Sequence, residues 1–176
     1  MGSTDYAHPP SFDDVYERLF PTIYHVAYRV TGSREIAEDL CHEAFIKLME
    51  RPSLLPDLEQ SKYWLLRVVK NLSLNHEKRK IRERAAVGRL TQLSPGVAES
   101  GEKQLLKKEL AASVQTALDG LPHSLRTPLV FREYGGLSYR EIGAVLGISE
   151  NNVKVRVFRA RERLHKVLTE GEAYVS

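Results

Sequence analysis

Six of the side chains within residues 151–159 are two amides, two long cations, an aliphatic group and an aromatic ring: Asn151, Asn152, Lys154, Arg159, Val155 and Phe158. Amide and guanidinium groups hydrogen-bond base edges in a DNA major groove, and apolar groups meet the thymine methyl. Arg159 and Lys154 suit guanine O6 and N7. These side chains share one side of a helix because Val153, Val157, Ala160, Leu164 and Val167 recur at spacings of three and four. That stripe is predicted to be buried, which turns the polar set outward. Arg156, Arg161 and Arg163 lie towards the flanks, where they meet phosphates or the fold's own acidic groups. The helix is positioned by what precedes it. Ser149 is an N-cap residue. Ser138 and Glu141 form a capping box for a shorter helix carrying Ile142, Val145 and Leu146, and Gly147 ends that helix in a left-handed conformation. Two helices joined by a glycine turn, the second basic, read as a helix-turn-helix. The plainer alternative is a helical hairpin with a solvated basic face.

A second constellation lies far upstream, in SKYWLLRVVKNLSLNHEKRKIRERAAVGRL. Arg67, Lys70, Asn71, Asn75, Lys78, Arg79 and Arg82 combine amides with cations beside the aromatic Trp64. Single-stranded or melted nucleic acid calls for such a mixture: stacking, base-edge hydrogen bonds and phosphate neutralisation. Trp64 itself is read as core, because large aromatics usually bury. The charge distribution supports two separate basic footprints. Residues 61–90 carry 9 Lys/Arg against 2 Asp/Glu, and 150–176 carry 6 against 4, whereas 1–60 carry 5 against 11. A polyanion touched in two places fits the basic segments. The acidic segment would be repelled by nucleic acid and is expected to face something else. Its helix, capped by Ser33, has an inner face of Ile36, Ala37, Leu40, Ala44, Phe45 and Leu48. Glu35, Glu38, Asp39, His42, Glu43 and Lys47 then lie outside.

The elements around these residues are all helical. The chain has 176 residues, 42% of them hydrophobic, with weak β-type alternation, so an all-α fold is predicted. Ser11 caps a first helix from Phe12 to about Thr31, with a kink or break at Pro21. Residues 91–104 lack periodicity and read as a flexible linker. The result is two small helical domains, 1–90 and 105–176, the second holding the helix-turn-helix, and the two are expected to move independently when free. The N-terminus is polar and acidic rather than a signal peptide, and no apolar run is long enough for membrane insertion. The single cysteine, Cys41, excludes an internal disulfide and fits a protein of the reducing cytoplasm. No catalytic constellation is present, so the chain is not read as an enzyme. Cys41, His42 and Glu43 are consecutive and diverge by about 100° each on a helix, no other spacing suggests a metal site, and no cofactor is expected.

The order of segments resembles the extracytoplasmic-function (ECF) group of bacterial sigma factors. AEDLCHEAFIKL is similar to the family's region-two helix that binds RNA polymerase. WLLRVVKNLSLNHEKRK resembles the stretch that melts and reads the minus-ten promoter element. LPHSLRTPLVFREYGGLSYREIGAVLGISENNVKVRVFRARERL looks like region four, which reads the minus-thirty-five element. The resemblance implies a sigma factor that binds core RNA polymerase and directs promoter recognition and transcription initiation. It assigns Asp39, His42 and Glu43 to polymerase, and it adds promoter DNA and an anti-sigma factor as partners. The family usually has Gln where this chain has His42, an aromatic where it has Ser61, and Ala where it has Gly143. A stand-alone helix-turn-helix regulator is the competing reading. It accounts for the second domain but not for an acidic helix followed by an aromatic and basic one.

Overall fold

The computed structural model describes residues 8–51, 56–88 and 102–173. Among these there are seven helices and no strand. Helix α1, Phe12–Thr31, begins in a capping box, with the Ser11 hydroxyl accepting from the Asp14 amide and the Asp14 carboxylate from the Ser11 amide. It runs unbroken through Pro21, so of the kink or break expected there the break does not occur. Pro21 faces solvent, where water can satisfy the carbonyl that loses its amide partner, while Leu19 and Ile23 stay in the core. Gly32 closes α1 at φ +72°. Helix α2, Arg34–Met49, is capped by Ser33 and buries Ala37, Leu40, Cys41, Ala44, Phe45 and Leu48.

Helix α3, Leu58–Val87, is a single helix of 30 residues capped by Asp57, about 45 Å long at roughly 1.5 Å per residue. The poor helix formers around Asn71 do not interrupt it. Burial of Leu65, Leu66 and Val69 outweighs their propensities, and Ser73 returns its hydroxyl to the Lys70 carbonyl. Ser61, where the family usually has an aromatic, is buried and bonds back to the Asp57 carbonyl at 2.7 Å.

Helix α4 spans Glu102–Asp119, α5 His123–Glu133, α6 Tyr139–Leu146 and α7 Glu150–Ala173. The capping box at Ser138 and Glu141 forms as predicted, and Gly147 adopts φ +70°. Gly143 reflects a close approach. A Cβ there would lie 2.7 Å from the Ile148 carbonyl oxygen, so the turn between α6 and α7 is tighter than one that accepts alanine. The buried stripe of α7 consists of Val153, Val157 and Ala160, with Leu164 partly buried. Val167 was expected in this stripe but is 54% exposed, because α7 has by then run beyond the packed body.

The two halves, α1–α3 and α4–α7, share one apolar cluster, from Val15 through Leu129 to Ala160. Rather than standing apart, they are docked. The proposed linker, 91–104, lies outside the described residues except for 102–104, which open α4.

Candidate polymerase and nucleic-acid surfaces

The first surface is the outer side of α2. Asp39, His42 and Glu43 are all exposed there, as the inner apolar face requires. Ile46 and Met49 continue the same side, 51% and 55% exposed. Sequence reasoning assigned neither residue a role, although both fall outside the apolar spacing that marks the inner face. His42 stacks on Phe20 of α1, with ring centroids 6.0 Å apart, and Glu43 pairs with Lys47. Cys41 is fully buried, and burial pushes its thiol up to about 12. A thiol held protonated is a poor nucleophile and a poor metal ligand. Among the described residues no group of His, Cys, Asp and Glu is placed to hold a metal ion, and no helix is long and apolar enough to cross a membrane.

The second surface is on α3. At about 100° per residue, Trp64, Arg67, Asn71, Asn75, Lys78 and Arg82 fall within an arc of roughly 80°. All but Trp64 are exposed. Trp64 is half-buried, packing one side on the core, so it is neither the full core residue expected nor a free platform. The other two predicted residues leave the strip. Lys70 turns towards α5, close enough to influence His123. Arg79 turns towards α2, where Asp39 and Glu43 line a groove with Asn75, His76, Arg79 and Arg82. The acidic and basic sets, read from sequence as separate faces, therefore meet along one edge.

The third surface is the N-terminal half of α7. Ser149 caps it, its hydroxyl accepting from the Asn152 amide at 3.2 Å. Asn151, Asn152, Lys154, Val155, Phe158 and Arg159 are exposed. Phe158 is 62% exposed, a costly placement for an aromatic ring that no described residue covers. Arg156 is held on the flank by Asn152, with Nε 2.9 Å from Oδ1, and Lys154 pairs with Glu150 at 3.1 Å. Arg163 is exposed. Arg161 is tied to Glu133 of α5, an interaction that raises its guanidinium pKa further. It therefore serves the fold's own acidic group, one of the two roles open to it from sequence.

The seam between the halves was not foreseen. Arg126 of α5 is only 6% exposed. Its guanidinium donates to the carbonyls of Leu118, Asp119 and Leu121 in its own half, and to Val30 at the end of α1 at 2.7 Å. Glu77 of α3 lies 3.5 Å from it. His123 meets the Ser73 hydroxyl at 3.1 Å, and burial pushes its pKa down to about 4. Tyr63 donates its hydroxyl to Glu141 of the capping box, and Arg67 bonds the Ala144 carbonyl of α6 at 3.4 Å. The side chain of Gln115 on α4 accepts from Arg29 and donates to its backbone carbonyl.

Comparison with known proteins agrees with this arrangement. The family pattern described as Sigma-70 region 2 matches residues 15–83, and that described as Sigma-70, region 4 matches residues 111–164. The ECF RNA polymerase sigma factor SigE of Mycolicibacterium smegmatis is 34% identical over 93% of this chain, which spans 64% of that longer protein. The ECF RNA polymerase sigma factor SigW of Bacillus subtilis is 31% identical over 90% of this chain and 89% of its own length. Two solved structures share the fold. One is the sigma factor RpoE of Bartonella quintana, crystallised with the anti-sigma factor NepR (TM-score 0.70, 23% identity, 90% of this chain and 96% of that one). The other is CnrH with the cytosolic domain of CnrY (TM-score 0.64, 22% identity, 90% of this chain and 88% of that one). With both sigma regions in order, and a relative matched along most of both chains, the protein belongs to the ECF group of RNA polymerase sigma factors.

Proposed function

We propose that the α1–α3 half engages core RNA polymerase through the outer side of α2 and the minus-ten element through the strip on α3, while α7 reads the minus-thirty-five element. The observation that carries this division is the α3 strip: Arg67, Asn71, Asn75, Lys78 and Arg82 on one exposed side, backed by buried Leu65, Leu66 and Val69. Amides at the centre suit an extruded base, and cations at both ends suit the phosphates either side. On α7, Asn151, Asn152, Lys154, Val155, Phe158 and Arg159 face base edges, while Arg156 and Arg163 meet the backbone. Asp39, His42 and Glu43 meet polymerase, with Ile46 and Met49 as apolar contacts beside them. Arg79 and Lys70 belong to the edges of the strip, Arg79 near the polymerase side and Lys70 near the seam. The chain works by binding, in the cytoplasm where polymerase acts. An anti-sigma factor is a further proposed partner, as for the RpoE relative in its complex with NepR.

Run-off transcription with core polymerase tests the proposal. Transcripts from a cognate promoter are expected only when both the chain and core are present. Strong binding of duplex promoter by the chain alone, with no transcript on adding core, would reject it in favour of a stand-alone regulator.

A further inference from the structure

We propose that the outer end of α3, residues 78–88, divides the two strands of the melted promoter. Lys80 and Arg84 hold template-strand phosphates on the side of the helix opposite the strip that meets the non-template strand. The inference rests on the assignment of that strip to the minus-ten element above. Every residue from Lys78 to Gly88 is exposed, yet the helix runs on to Val87. Its own residues keep it helical. Lys, Arg, Glu and Ala are strong helix formers, Arg79 pairs with Glu83 one turn on, and extending an existing helix avoids the cost of nucleation. A segment that stays helical without a buried face fixes where its cations point.

At about 100° per residue, Lys78 and Arg82 lie within the strip, and Lys80 and Arg84 lie about 200° further round. Glu83, the only carboxylate in residues 78–88, is drawn to Arg79 on the side towards α2. Among the described residues, Lys78, Lys80, Arg82 and Arg84 have no ion-pair partner. Their uncompensated charge selects a polyanion, and two pairs on opposite sides call for two strands of it. Lys80 and Arg84 stand about 6 Å apart along the axis at roughly 1.5 Å per residue, which matches the step between neighbouring phosphates of one strand. With a strand on each side, the body of the helix, about 10–12 Å across, occupies the place of the base pairs. Ile81 lies midway between the two cation pairs, about 80° from each, and is 59% exposed. There it lies against the last base pair of the upstream duplex, as apolar wedges do at unstacked steps.

Strand-specific cross-linking in the holoenzyme tests this. Lys78→Cys and Lys80→Cys chains are each labelled with an azidophenacyl group before core polymerase is added. The native Cys41, fully buried with its thiol held protonated, stays unlabelled. In the open complex Lys78→Cys is expected to cross-link the non-template strand and Lys80→Cys the template strand. Attachment of Lys80→Cys to the non-template strand, or to neither, would overturn the proposal. Lys80→Ala with Arg84→Ala supplies a second measurement, since alanine keeps the segment helical. Its holoenzyme is expected to bind a fork whose template strand continues single-stranded past the junction about tenfold less tightly than wild type, with a salt slope lower by about 1.4, at about 0.7 per phosphate on a single strand. A fork carrying only the non-template overhang should bind as wild type does. Equal loss on both forks would place these cations on duplex phosphates and overturn the proposal, as would no loss on either. Ile81→Ala should slow opening of duplex promoter about fivefold and leave binding to the pre-melted fork unchanged. Opening at the wild-type rate would remove the wedge and with it the division of strands. Failure of the α3 strip itself looks different, because then Lys78→Cys would cross-link neither strand.

Discussion

The two halves each present, from a helix, a face proposed to meet nucleic acid, yet they fix that face in different ways. In the α4–α7 half it is set locally. A capping box, a left-handed glycine and a second N-cap lie within a dozen residues, and they determine where α7 starts and which side it turns outward. In the α1–α3 half it is set by neighbours. Helix α3 has one side against α1 and α2, another against α5 and α6, and only the remainder free. A face defined by short-range capping persists when its half moves. A face defined by what covers the rest of the helix changes whenever a neighbour leaves. Parting the seam therefore alters the α3 surface, freeing Arg67, and leaves the α7 surface as it is.

The largest effect that distinguishes the halves is expected on α2. Asp39→Lys with Glu43→Lys reverses two exposed charges on a helix whose inner face is untouched, so helicity should be retained. Core binding is expected to be lost by 100-fold or more, since like charges facing each other across an interface cost several kcal/mol. Titration against core polymerase reads this directly, with circular dichroism as the fold control. Normal core affinity would remove α2 from the polymerase interface and leave the acidic helix without a role. The groove adds a subtler consequence. Asp39 and Glu43 lie beside Arg79 and Arg82, so the same variant should weaken minus-ten contacts less than it weakens core binding.

A smaller effect is expected on α7, divided between two arginines. Arg159→Ala should cost about 1–3 kcal/mol and relax preference at one or two base pairs. Arg163→Ala should weaken all sequences alike and lower the salt slope by about one. Binding isotherms on a panel of minus-thirty-five duplexes at several salt concentrations separate the two. If Arg163→Ala altered preference and Arg159→Ala did not, α7 would be rotated from the orientation its buried stripe implies.

The difference between the halves also governs what could be read from the residues alone. Ser138, Glu141, Gly147 and Ser149 are short-range signals, and each performs the capping role its type and position imply. The outward side of α2 follows in the same way from its apolar spacing. Pro21 left a kink or a break open because its effect depends on whether the freed carbonyl meets water, which spacing does not encode. Lys70 and Arg79 were grouped with the α3 strip because cations in a basic run look alike until α5 and α2 are in place. The seam was illegible for a related reason. Arg126, His123 and Tyr63 have unremarkable neighbours in sequence, and their partners Val30, Ser73 and Glu141 lie 96, 50 and 78 positions away. Arg126 in particular reads as an ordinary surface cation of a short helix, whereas it is a buried donor to four carbonyls.

The smallest expected effect concerns the seam and acid. The His123 pKa falls to about 4 chiefly because burial disfavours the charged ring, with Arg126 and Lys70 adding repulsion. Its close partners are the hydroxyls of Ser73 and Thr127, neither of which gains from a cationic ring as a carboxylate would. His25, stacked edge-on against Tyr134 elsewhere on the seam, is shifted downward as well, by burial and by Arg29. Both histidines are held neutral in the docked form. The separated form, in which they regain water, therefore binds protons more readily. Docking is accordingly at full strength above the ordinary histidine value near 6.5, weakens as pH falls through that value, and reaches its limit only below about 4. At pH 5.5 the docking constant is expected to fall by at most about tenfold through His123, with one pKa unit corresponding to one factor of ten. The bound is an upper one because His123 also packs against Thr127 within its own half. Energy transfer between dyes placed one in each half, followed from pH 7.5 to 5, measures the change. His123→Gln keeps a neutral polar side chain at that position and should flatten most of the profile. A wild-type profile that stayed level down to pH 5, or docking that tightened on acidification, would show that these rings stay as buried in the separated halves as they are in the docked chain.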